Sequence, residues 1–570
     1  MAIGLVCICQ SMQAQQLNVR TITREGDPIL GAGPGEFSRG EGYGEINDQG
    51  DVAFVGAAGP PVGNANVFVY VCDRLDGMRI VAAQGDGSSG GPSTDYLAFD
   101  PRILPNGKLT MSVRYGDTPF PYSGVSLLTE ENGSLTTLFD GPYEDPFGVG
   151  ATSTSSFGIS AMSPSSDVVM TPSWYIEPDR TYALAFGGTT APLDVILTSN
   201  DPYPVPGRDG LQAGNPIAPV INAQNQIALV MGTALVVREP DGTYRELAYR
   251  GEPAPFVDPA AVWDSSFDNP SINNAGQVAW SGQVKISSTD RRQGIFIGDP
   301  VIGTVFAVQQ GDQAPGCPAG QTFNSLGRPL INRLGQVAFW GSVTGSGVDS
   351  SNNLGIWVVS PDGDSWLVAR KGDQAPGTPA GVTIAAFDDI RDDFYINFNG
   401  VGQVVFGATL AGPGVDSTNV RALFMTDRNR TLRLVARQGD LFDIDDSPDK
   451  EDLREIGFRS ISPRDWMYTY SGGEDGLRRI LNDAGELVIT LEYADAAGTS
   501  TFAESGLFVV SFADCVLADV NGDGLTTPAD FSAWVAAFNS MTPMCDQNND
   551  GLCTPADFSA WVTNFNADCH

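Results

Sequence analysis

The sequence predicts an all-β repeat domain over residues 16–512, closed as an eight-bladed β-propeller, and a small α-helical module over residues 513–570. Three observations lead to this prediction. Turns of the type Asn-x-x-Gly, each followed by an apolar strand, recur about every 60 residues along the first region. A Gly-Asp signature recurs with similar spacing. At the C-terminus, a loop pattern rich in Asp, Asn and Gly is written twice, and each copy precedes an apolar pattern with helical spacing.

One repeat, residues 322–377, shows what a single unit contains. Its strands are predicted at Phe323–Ile331, Gln336–Val343, Leu354–Val359 and Ser365–Lys371, because alternating apolar residues there are bounded by Gly, Pro, Asn and Asp turns. Four antiparallel strands in about 60 residues, repeated around an axis, are typical of a β-propeller blade. Solenoid repeats are usually shorter, and sandwich domains are longer, at about 100 residues.

The two ends of the repeat region predict how the ring closes. Asn18–Arg24 has the pattern of a fourth strand, yet no unit precedes it. The last unit, with strands at Leu481–Thr490 and Gly506–Phe512, lacks its own fourth strand. We therefore expect the N-terminal strand to complete the last blade, which would remove the exposed edges of an open sheet.

The two repeated signatures are expected on opposite faces of the ring. Asn can bond its own backbone and Gly tolerates positive φ, so the Asn-x-x-Gly turns are interpreted as hairpins. The Gly-Asp links are interpreted as caps of turn N–H groups, although eight in register would also ring one face with carboxylates. The turn copies begin at Ile46, Leu104, Ser163, Ile221, Ile272, Ile331, Asn397 and Leu481, and the links lie at Gly26, Gly85, Asp140, Asn200, Gly251, Gly311, Gly372 and Gly439.

Composition argues against several classes of function. The formal net charge of −36 would repel nucleic acid and anionic membranes. The one histidine is His570, so a Ser–His–Asp or Cys–His mechanism and a His-ligated zinc site are not expected in the repeat domain. No segment has the roughly 20 consecutive apolar residues of a membrane-spanning helix.

Residues 1–15 resemble the end of a secretory signal, with a short apolar run followed by small and polar residues. The basic region that opens such a signal is missing, and an ordinary N-terminal tail is the alternative. Four of the eight cysteines lie in the C-terminal module, which indicates disulfides and a secreted or cell-surface protein. These four allow three pairings, among which we expect Cys515–Cys569 with Cys545–Cys553.

The C-terminal module carries two loops with the ligand spacing of an EF-hand calcium site. Ca²⁺ takes six to eight oxygen ligands, which such a loop supplies from positions 1, 3, 5, 7, 9 and 12. We predict two calcium ions, since a chance acidic turn would not be repeated in register with a matching helix. The predicted ligands are Asp519, Asn521, Asp523, Leu525, Thr527 and Asp530 in the first loop, and Asp546, Asn548, Asp550, Leu552, Thr554 and Asp557 in the second, with both leucines acting through their carbonyl oxygens.

Two loop–helix units with no helix visible before Asp519 resemble a dockerin, a calcium-dependent module that tethers extracellular proteins to cohesin modules on scaffolds or cell surfaces. The resemblance implies a cohesin-like or cell-envelope partner. Two departures bear on that partner. Loop positions 10 and 11, commonly a Ser-Thr type pair in dockerins, are Pro528-Ala529 and Pro555-Ala556 here, and neither helix carries Lys or Arg. The four cysteines resemble those of a cysteine-bearing dockerin variety found at the C-termini of bacterial surface proteins.

The turn signature over residues 40–490 also resembles the Asn-x-x-Gly-x-x-Ala-Phe tandem repeats of bacterial surface-anchored proteins. That resemblance implies surface display and no particular chemistry.

Two irregular places are further candidates for a binding site. The loop Asp443–Asp452 is dense in carboxylates that could bind calcium, and Arg464–Tyr468 adds aromatic rings that could stack on a sugar. A solvated acidic insertion is the alternative interpretation. The paired loops Gly347–Ser350 and Gly414–Ser417 are the other candidate, and we interpret them as inherited with the repeat.

The sequence supports two functional hypotheses. The first is a non-enzymatic secreted or cell-surface protein, whose propeller binds a glycan or protein ligand and is attached through the calcium module. The alternative is a carboxylate-based carbohydrate-active enzyme, either a glycoside hydrolase or another enzyme of polysaccharide degradation. A glycoside hydrolase would need two carboxyl groups about 5–10 Å apart in a central pocket, one of them with a raised pKa.

Overall fold

The computed structural model describes residues 17–27, 37–59, 66–74, 77–83, 96–105, 107–116, 124–131, 134–142, 146–148, 153–154, 159–176, 179–254, 257–387, 396–446, 451–458, 471–495, 504–512, 518, 520, 528–547 and 553–566. The strands of these residues form eight antiparallel sheets, which are the blades of a β-propeller. The predicted fold class is therefore confirmed. None of the described helices has the length and apolar character that a membrane span requires.

The blades follow one another in chain order, except that the first strand, β1 (Leu17–Arg24), belongs to blade 8. Blade 1 holds β2 (Phe37–Ile46), β3 (Val52–Gly59), β4 (Asn66–Asp73) and β5 (Gly77–Ala83). Blade 2 holds β6 (Tyr96–Ile103), β7 (Leu109–Gly116), β8 (Gly124–Glu131) and β9 (Ser134–Pro142). Blade 3 holds β10 (Ser153–Thr154), β11 (Ala161–Met162), β12 (Val168–Met170), β13 (Ser173–Ile176), β14 (Asp179–Gly187) and β15 (Asp194–Thr198). Blade 4 holds β16 (Pro216–Ile221), β17 (Ile227–Met231), β18 (Ala234–Arg238) and β19 (Tyr244–Tyr249).

The second half of the ring has the same organisation. Blade 5 holds β20 (Val262–Ile272), β21 (Val278–Lys285), β22 (Arg291–Asp299) and β23 (Gly303–Gln309). Blade 6 holds β24 (Thr322–Leu326), β25 (Leu330–Ile331), β26 (Val337–Thr344), β27 (Leu354–Val359) and β28 (Trp366–Arg370). Blade 7 holds β29 (Thr383–Phe387), β30 (Ile396–Phe398), β31 (Val404–Ala411), β32 (Arg421–Thr426) and β33 (Leu432–Arg437). Blade 8 holds β34 (Leu441–Asp443), β35 (Leu453–Gly457), β36 (Leu487–Tyr493) and β37 (Glu504–Phe512), with β1 as its outer strand.

The ring closes as the sequence predicts. Strand β1 pairs antiparallel with β37, from Leu17 opposite Phe512 to Arg24 opposite Gly506. The edge of blade 8 is thereby covered by a strand from the other end of the repeat domain. This arrangement satisfies backbone groups that an open edge would expose.

The hydrophobic core lies between neighbouring blades. Ile356 of blade 6 belongs to the same buried cluster as Phe406 and Phe424 of blade 7. Trp263 of blade 5 shares a cluster with Leu235 of blade 4. Middle strands such as β17, β27 and β32 are buried on both faces, and their sequences are nearly continuous apolar runs.

One predicted strand is divided in two. The sequence predicts a single strand over Phe323–Ile331, whereas the structure has β24 and β25 with Gly327 between them. Gly327 N donates to Trp340 O (2.8 Å), and a Cβ at this glycine would lie 2.1 Å from the Trp340 indole. The strand bends here because the indole packs directly against the backbone.

The Asn of each regular Asn-x-x-Gly turn holds its own hairpin. In blade 6, Asn332 Oδ1 accepts N–H groups from Leu334 (3.1 Å) and Gln336 (3.0 Å). Asn332 Nδ2 donates to Gln336 Oε1 (3.0 Å), and Gly335 has φ of 72°. The hairpin interpretation is confirmed. Gln336, the fifth residue of the turn counted from Asn332, also takes part in holding it through its side chain and its backbone N–H.

The same side chains also join neighbouring blades in an amide belt. Asn332 Nδ2 donates to the carbonyl oxygen of Asn399 in the next blade (3.3 Å). Equivalent bonds connect Asn222 to Asn273 (3.0 Å), Asn273 to Asn332 (3.0 Å), Asn399 to Asn482 (2.9 Å), Asn482 to Asn47 (3.0 Å) and Asn47 to Leu104 (3.0 Å). In blade 7 the belt residue is therefore Asn399 and not Asn397, where the sequence interpretation began that copy. The bond from Asn482 to Asn47 closes the belt between the last blade and the first.

The C-terminal module contributes two helices, α1 (Pro528–Ser540) and α2 (Pro555–Asn566), with a short 3-10 turn at Pro543–Cys545. Both helices begin at a proline, where the missing N–H costs little. Their aromatic rings contact one another, with Phe531 and Trp561 centred 5.2 Å apart.

Candidate functional site

A segment of blade 8 curves around the central axis of the ring. Residues 471–480, named the collar here, precede the Asn482 turn and contact the first strands of the other blades. Backbone N–H groups of these strands donate to collar carbonyls, namely Ile46 to Arg479 (3.0 Å), Met162 to Gly476 (2.8 Å), Ile221 to Asp475 (3.0 Å) and Phe398 to Ser471 (3.0 Å). The collar meets blade 1 at its C-terminal end and blade 7 at its N-terminal end, so it curves around the axis against the order of the blades.

Two collar glycines allow the close approach of backbones. A Cβ at Gly472 would lie 2.1 Å from the carbonyl oxygen of Ile331. Gly476 has φ of 70°. A Cβ there would lie 2.7 Å from Ile221 Cγ2 and 2.7 Å from the Ile221 carbonyl oxygen. At these two positions the collar main chain lies too close to the neighbouring strands for a larger side chain.

Asp475 is the most enclosed carboxylate of the collar, with no exposed surface. Its Oδ2 accepts bonds from Ser271 Oγ (3.1 Å) and Gly472 N (2.9 Å). Its Oδ1 accepts bonds from Ser471 Oγ (2.9 Å) and Leu477 N (3.3 Å). This side chain fixes the shape of the collar and ties it to blade 5.

Arginines around the axis pair with carboxylates from other parts of the ring. Arg102 Nε lies 3.1 Å from Glu45 Oε2, and its Nη2 donates to the collar carbonyl of Gly476 (2.8 Å). Arg479 Nη2 lies 2.9 Å from Asp48 Oδ1. Arg478 is paired with Asp100 of blade 2. These bonds attach the collar to blades 1 and 2 through side chains as well as backbone.

A second cluster of polar side chains lies where the Asn-x-x-Gly turns of the belt meet the collar. Arg333 Nη1 lies 2.8 Å from Asp483 Oδ2, and Gly400 N donates to Asp483 Oδ1 (2.7 Å). Glu474 Oε2 accepts the N–H of Asn274 (2.8 Å). Burial raises the pKa of Glu474, the bonds from Asn274 oppose this, and the neighbouring Asp483 adds to the rise.

This pKa shift predicts a pH-dependent effect of Glu474→Gln. The folded protein holds the Glu474 proton more tightly than the unfolded chain does. The contribution of Glu474 to stability is therefore largest below the unfolded pKa, near 4.5, and is lost as the pH rises through the folded value. Gln does not ionise, so the variant should match wild type near pH 4 and be more stable at pH 8 by roughly 0.5 kcal/mol after solvent screening. Denaturant unfolding at both pH values measures this difference, and an equal effect at the two would contradict it.

The axial carboxylates are engaged as structural acceptors. A glycoside hydrolase needs one carboxyl group placed to protonate the leaving oxygen and another facing the sugar. Glu474 combines a raised pKa with a nearby carboxylate, Asp483. Asp483, however, pairs with Arg333 and accepts the N–H of Gly400, so both of its oxygens are engaged.

The Gly-Asp links cap turns, as predicted. Asp312 Oδ2 accepts the N–H of Gln309 (3.0 Å), and Asp201 Oδ2 accepts that of Thr198 (2.6 Å). Burial raises the pKa of the Asp373 carboxyl at the equivalent position. Asp27 caps its own turn in the same way, whereas Asp140 accepts Ser126 Oγ and Glu252 pairs with Arg208. The link at Gly85 lies outside the described residues.

The acidic loop in blade 8 holds the closing strand. Thr21 N of β1 donates to Asp446 Oδ2 (3.0 Å), and Thr21 Oγ1 donates to Ile444 O (3.0 Å). Arg24 Nη1 lies 3.4 Å from Asp445 Oδ2. The described part of this loop therefore has a structural role. The other part of that candidate, Arg464–Tyr468, lies outside the described residues.

The paired loops of blades 6 and 7 are built alike. Asp349 Oδ1 accepts the N–H of Ser351 (2.7 Å), and Asp416 Oδ1 accepts that of Thr418 (2.8 Å). The hydroxyl groups of Ser351 and Thr418 also donate to these aspartates, and the hydroxyl bonds together with the backbone bonds lower the pKa of both carboxyls. The matching internal bonds favour inheritance with the repeat.

Four of the twelve predicted calcium ligands are among the described residues: Asp530, Asp546, Thr554 and Asp557. The other eight lie outside them: Asp519, Asn521, Asp523, Leu525, Thr527, Asn548, Asp550 and Leu552. Within the described part of the chain, no group of three or more His, Cys, Asp or Glu is arranged to hold a metal. The prediction of two calcium ions therefore stays a prediction.

The second loop and its helix are joined by a capping box. Ala556 N donates to Thr554 Oγ1 (3.2 Å), and Thr554 N donates to Asp557 Oδ2 (2.7 Å). Asp557 Oδ1 accepts the N–H of Gln547 (2.8 Å). Predicted ligand positions 9 and 12 are thus held together at the start of α2.

The residues present fit calcium. Asp530 and Asp557 are fully buried in the first turns of α1 and α2. Residues 513–570 contain no Lys, Arg or Glu, whereas they contain the aspartates Asp514, Asp519, Asp523, Asp530, Asp546, Asp550, Asp557 and Asp568. A buried carboxylate needs a compensating charge or hydrogen bonds, and a hard cation with oxygen ligands suits this set.

One of the expected disulfides is present. Cys545 and Cys553 are bonded, with their Cα atoms 5.6 Å apart. The pairing of Cys515 with Cys569 lies outside the described residues. Cys72 and Cys317 in the propeller are free, and burial raises the pKa of both thiols.

The collar is the element that the sequence analysis missed. The only available signal is spacing, because Asn399 and Asn482 are 83 residues apart, against 51 to 67 between the other belt residues bonded from one blade to the next along the chain. The extra length before Asn482 contains the Gly-Gly-Glu-Asp-Gly run of the collar.

Together, the eight blades, the amide belt and the axial collar define a closed β-propeller with a helical C-terminal module. The chain belongs to DUF7453, a family of unknown function, whose model matches residues 46–513. No curated protein matches the sequence.

Solved structures with a similar fold are distant in sequence. The β-propeller domain of the Trilobed protease from Pyrococcus furiosus is 11% identical, with 70% of this chain and 98% of that chain covered and a TM-score of 0.34. The polysaccharide lyase Uly1 is 11% identical, with 72% and 89% covered and a TM-score of 0.31. A protein of unknown function from Dyadobacter fermentans is 9% identical, with 87% and 99% covered and a TM-score of 0.25. At these identities the likeness concerns the fold alone.

Proposed function

We propose that this protein is a secreted or cell-surface binding and display protein without catalytic activity of its own, attached through a calcium-dependent, dockerin-like C-terminal module. The observation that carries the proposal is the pair Asp530 and Asp557. Both are fully buried at the same position of their helices, in a module without Lys or Arg. Calcium would supply the positive charge that these carboxylates lack within the module.

The two loops would hold one calcium ion each. In the first, the oxygens of Asp519, Asn521, Asp523, Thr527 and Asp530 and the carbonyl of Leu525 would serve as ligands. In the second, those of Asp546, Asn548, Asp550, Thr554 and Asp557 and the carbonyl of Leu552 would serve. Thr554 and Asp557 are already held by the capping box, which fixes two ligand positions relative to α2. When bound, calcium links each loop to the helix that follows it.

The collar supports a non-enzymatic role for the propeller. The first strands of the blades bond to collar backbone, and the Asp475 carboxylate is enclosed by four donors. A glycan or protein ligand would therefore bind on the loops of the ring. The proposed partner of the C-terminal module is a cohesin-like or other cell-envelope protein.

Attachment to the producing cell envelope tests this proposal. Labelled full-length chain should bind envelope fractions in millimolar calcium and be released by a chelator. A chain ending at Phe512 should not bind. The control variant Asp349→Ala plus Asp416→Ala removes two exposed propeller aspartates and should bind like wild type. Retention that is indifferent to the chelator, or a reproducible glycan-cleaving activity of the truncated chain, would overturn the proposal.

A further inference from the structure

The free thiol of Cys317 lies in the link between blades 5 and 6 and is partly exposed. The link holds its backbone on both sides. Cys317 N donates to Ala314 O (3.2 Å), and Cys317 O accepts Gln313 Nε2 (3.2 Å). The indole of the fully buried Trp357 donates to Pro315 O in the same link (3.0 Å). The thiol is therefore presented from a fixed main chain.

The guanidinium group of Arg370 lies against this thiol. Arg370 is 8% exposed, and its Nη1 donates to Cys317 Sγ (3.5 Å). Its Nε donates to Asn352 O (2.6 Å), which fixes the plane of the group. Its Nη2 is buried and has no hydrogen-bond partner among the described residues. A buried donor without an acceptor is costly, so an acceptor placed next to the sulfur would be stabilised by this N–H.

The corresponding link of blade 7 carries no thiol. Thr378 takes the position of Cys317, and its hydroxyl donates to a carbonyl oxygen of its own link (2.6 Å). Arg437 takes the position of Arg370 and makes the same backbone bond, from Nε to Asn419 O (3.0 Å). A thiol beside the arginine therefore distinguishes blade 6 from blade 7.

The second free thiol of the propeller, Cys72, has different charges around it. Burial raises the pKa of the Cys317 thiol, Arg370 lowers it, and Asp373 is the carboxylate that adds to the rise. Burial also raises the pKa of the Cys72 thiol, Arg20 lowers it, and three carboxylates add to the rise. These carboxylates belong to Asp51, Asp73 and Asp446. Because the thiolate is the nucleophile, these charges favour Cys317 over Cys72 for reaction.

We propose that Cys317 is a site of oxidation by hydroperoxides, at which Arg370 Nη2 donates to the oxygen added to the sulfur. The Cys317 thiolate attacks the protonated oxygen of the hydroperoxide, so that an S–O bond forms and the O–O bond breaks. The sulfur loses two electrons, which the peroxide gains. The thiol proton passes through solvent to the departing alkoxide or hydroxide, and the products are a sulfenic acid and an alcohol or water. This reaction is separate from the proposed function and needs no calcium.

Treatment of the full-length chain with hydrogen peroxide tests this proposal. A cyclic 1,3-dione traps the sulfenic acid as a thioether, and peptide mass spectrometry locates the adduct. Labelling of Cys317 should be faster at pH 8 than at pH 6, because the higher pH populates the thiolate. Arg370→Met should slow it about tenfold, the worth of one hydrogen bond to a charged group. Arg437→Met is the matched control and should label Cys317 like wild type, since it removes the equivalent backbone bond in blade 7.

A comparison of the two thiols in wild-type protein does not depend on any variant folding. Cys317 should be modified faster than Cys72 in the same sample, and Cys317→Ser should remove the main adduct. Labelling of Cys72 at an equal or greater rate, or the lack of an adduct at Cys317, would overturn the proposal. Equal labelling of Cys317 in wild type and in Arg370→Met would overturn it as well.

Discussion

Replacing Asp475 with Ala is expected to destabilise the propeller by about 3 kcal/mol or more, because it leaves buried donors without an acceptor. The side chain is fully buried and accepts bonds from Ser271, Ser471, Gly472 and Leu477. Each of these groups would lose its partner where water cannot readily replace it. The free energy of unfolding in guanidinium chloride measures the effect.

Two further variants make this result interpretable. Asp475→Asn keeps one oxygen acceptor and should cost less than Asp475→Ala. Asp362→Ala removes an exposed aspartate that also accepts a backbone N–H, from Asp364 (3.1 Å), and should cost about 1 kcal/mol or less. If Asp475→Ala proved as mild as Asp362→Ala, the collar would not be a structural element of the ring.

Removal of calcium is expected to unfold the C-terminal module and to leave the propeller folded. Binding to the folded state alone stabilises by about 2.7 kcal/mol per ion at a hundredfold excess over the dissociation constant. Residues 513–570 have a small core centred on Trp534 and Trp561, so they have little else to hold α1 and α2 together. Chelation should abolish their helical circular dichroism and open residues 513–570 to protease.

The propeller provides the internal control for this experiment. Its main unfolding transition should keep its midpoint in chelator, because the strands and the collar hold it without the module. The Cys545–Cys553 disulfide should retain a local restraint in the unfolded module, so the comparison belongs in non-reducing buffer. A module whose helices and protease resistance survive exhaustive chelation would refute the calcium prediction.

Much of the fold could be read from local patterns. The middle strands of blades 4 to 7 follow apolar runs bounded by turn residues, and the closing strand at Leu17–Arg24 could be inferred from an unmatched count of strands. The prolines at Pro528 and Pro555 marked both helix starts. These features depend on backbone propensities that act over a few residues, which is why sequence reasoning reaches them.

The split of one strand at Gly327 and the bonds between belt residues could not be predicted in the same way. Gly327 is required by the Trp340 indole, and Asn332 reaches a carbonyl 67 residues further along the chain. Such contacts depend on how neighbouring blades are placed. The shift of the seventh belt residue to Asn399 has the same origin, since only the position facing Asn482 can complete the belt.

The sequence by itself determined the repeat, the number of blades, the strand that closes the ring and the two predicted calcium loops, because each is encoded in residues that are neighbours in the chain. Only the tertiary structure decided that residues 471–480 bond to strands of blades 1, 3, 4 and 7 and that Asp475 is a buried acceptor for four donors. The physical reason is that these contacts join residues that are far apart in the chain and meet only when the ring has closed. Strands of four blades bring the backbone N–H groups of Ile46, Met162, Ile221 and Phe398 to one segment, and the identity of that segment depends on the geometry of the whole ring.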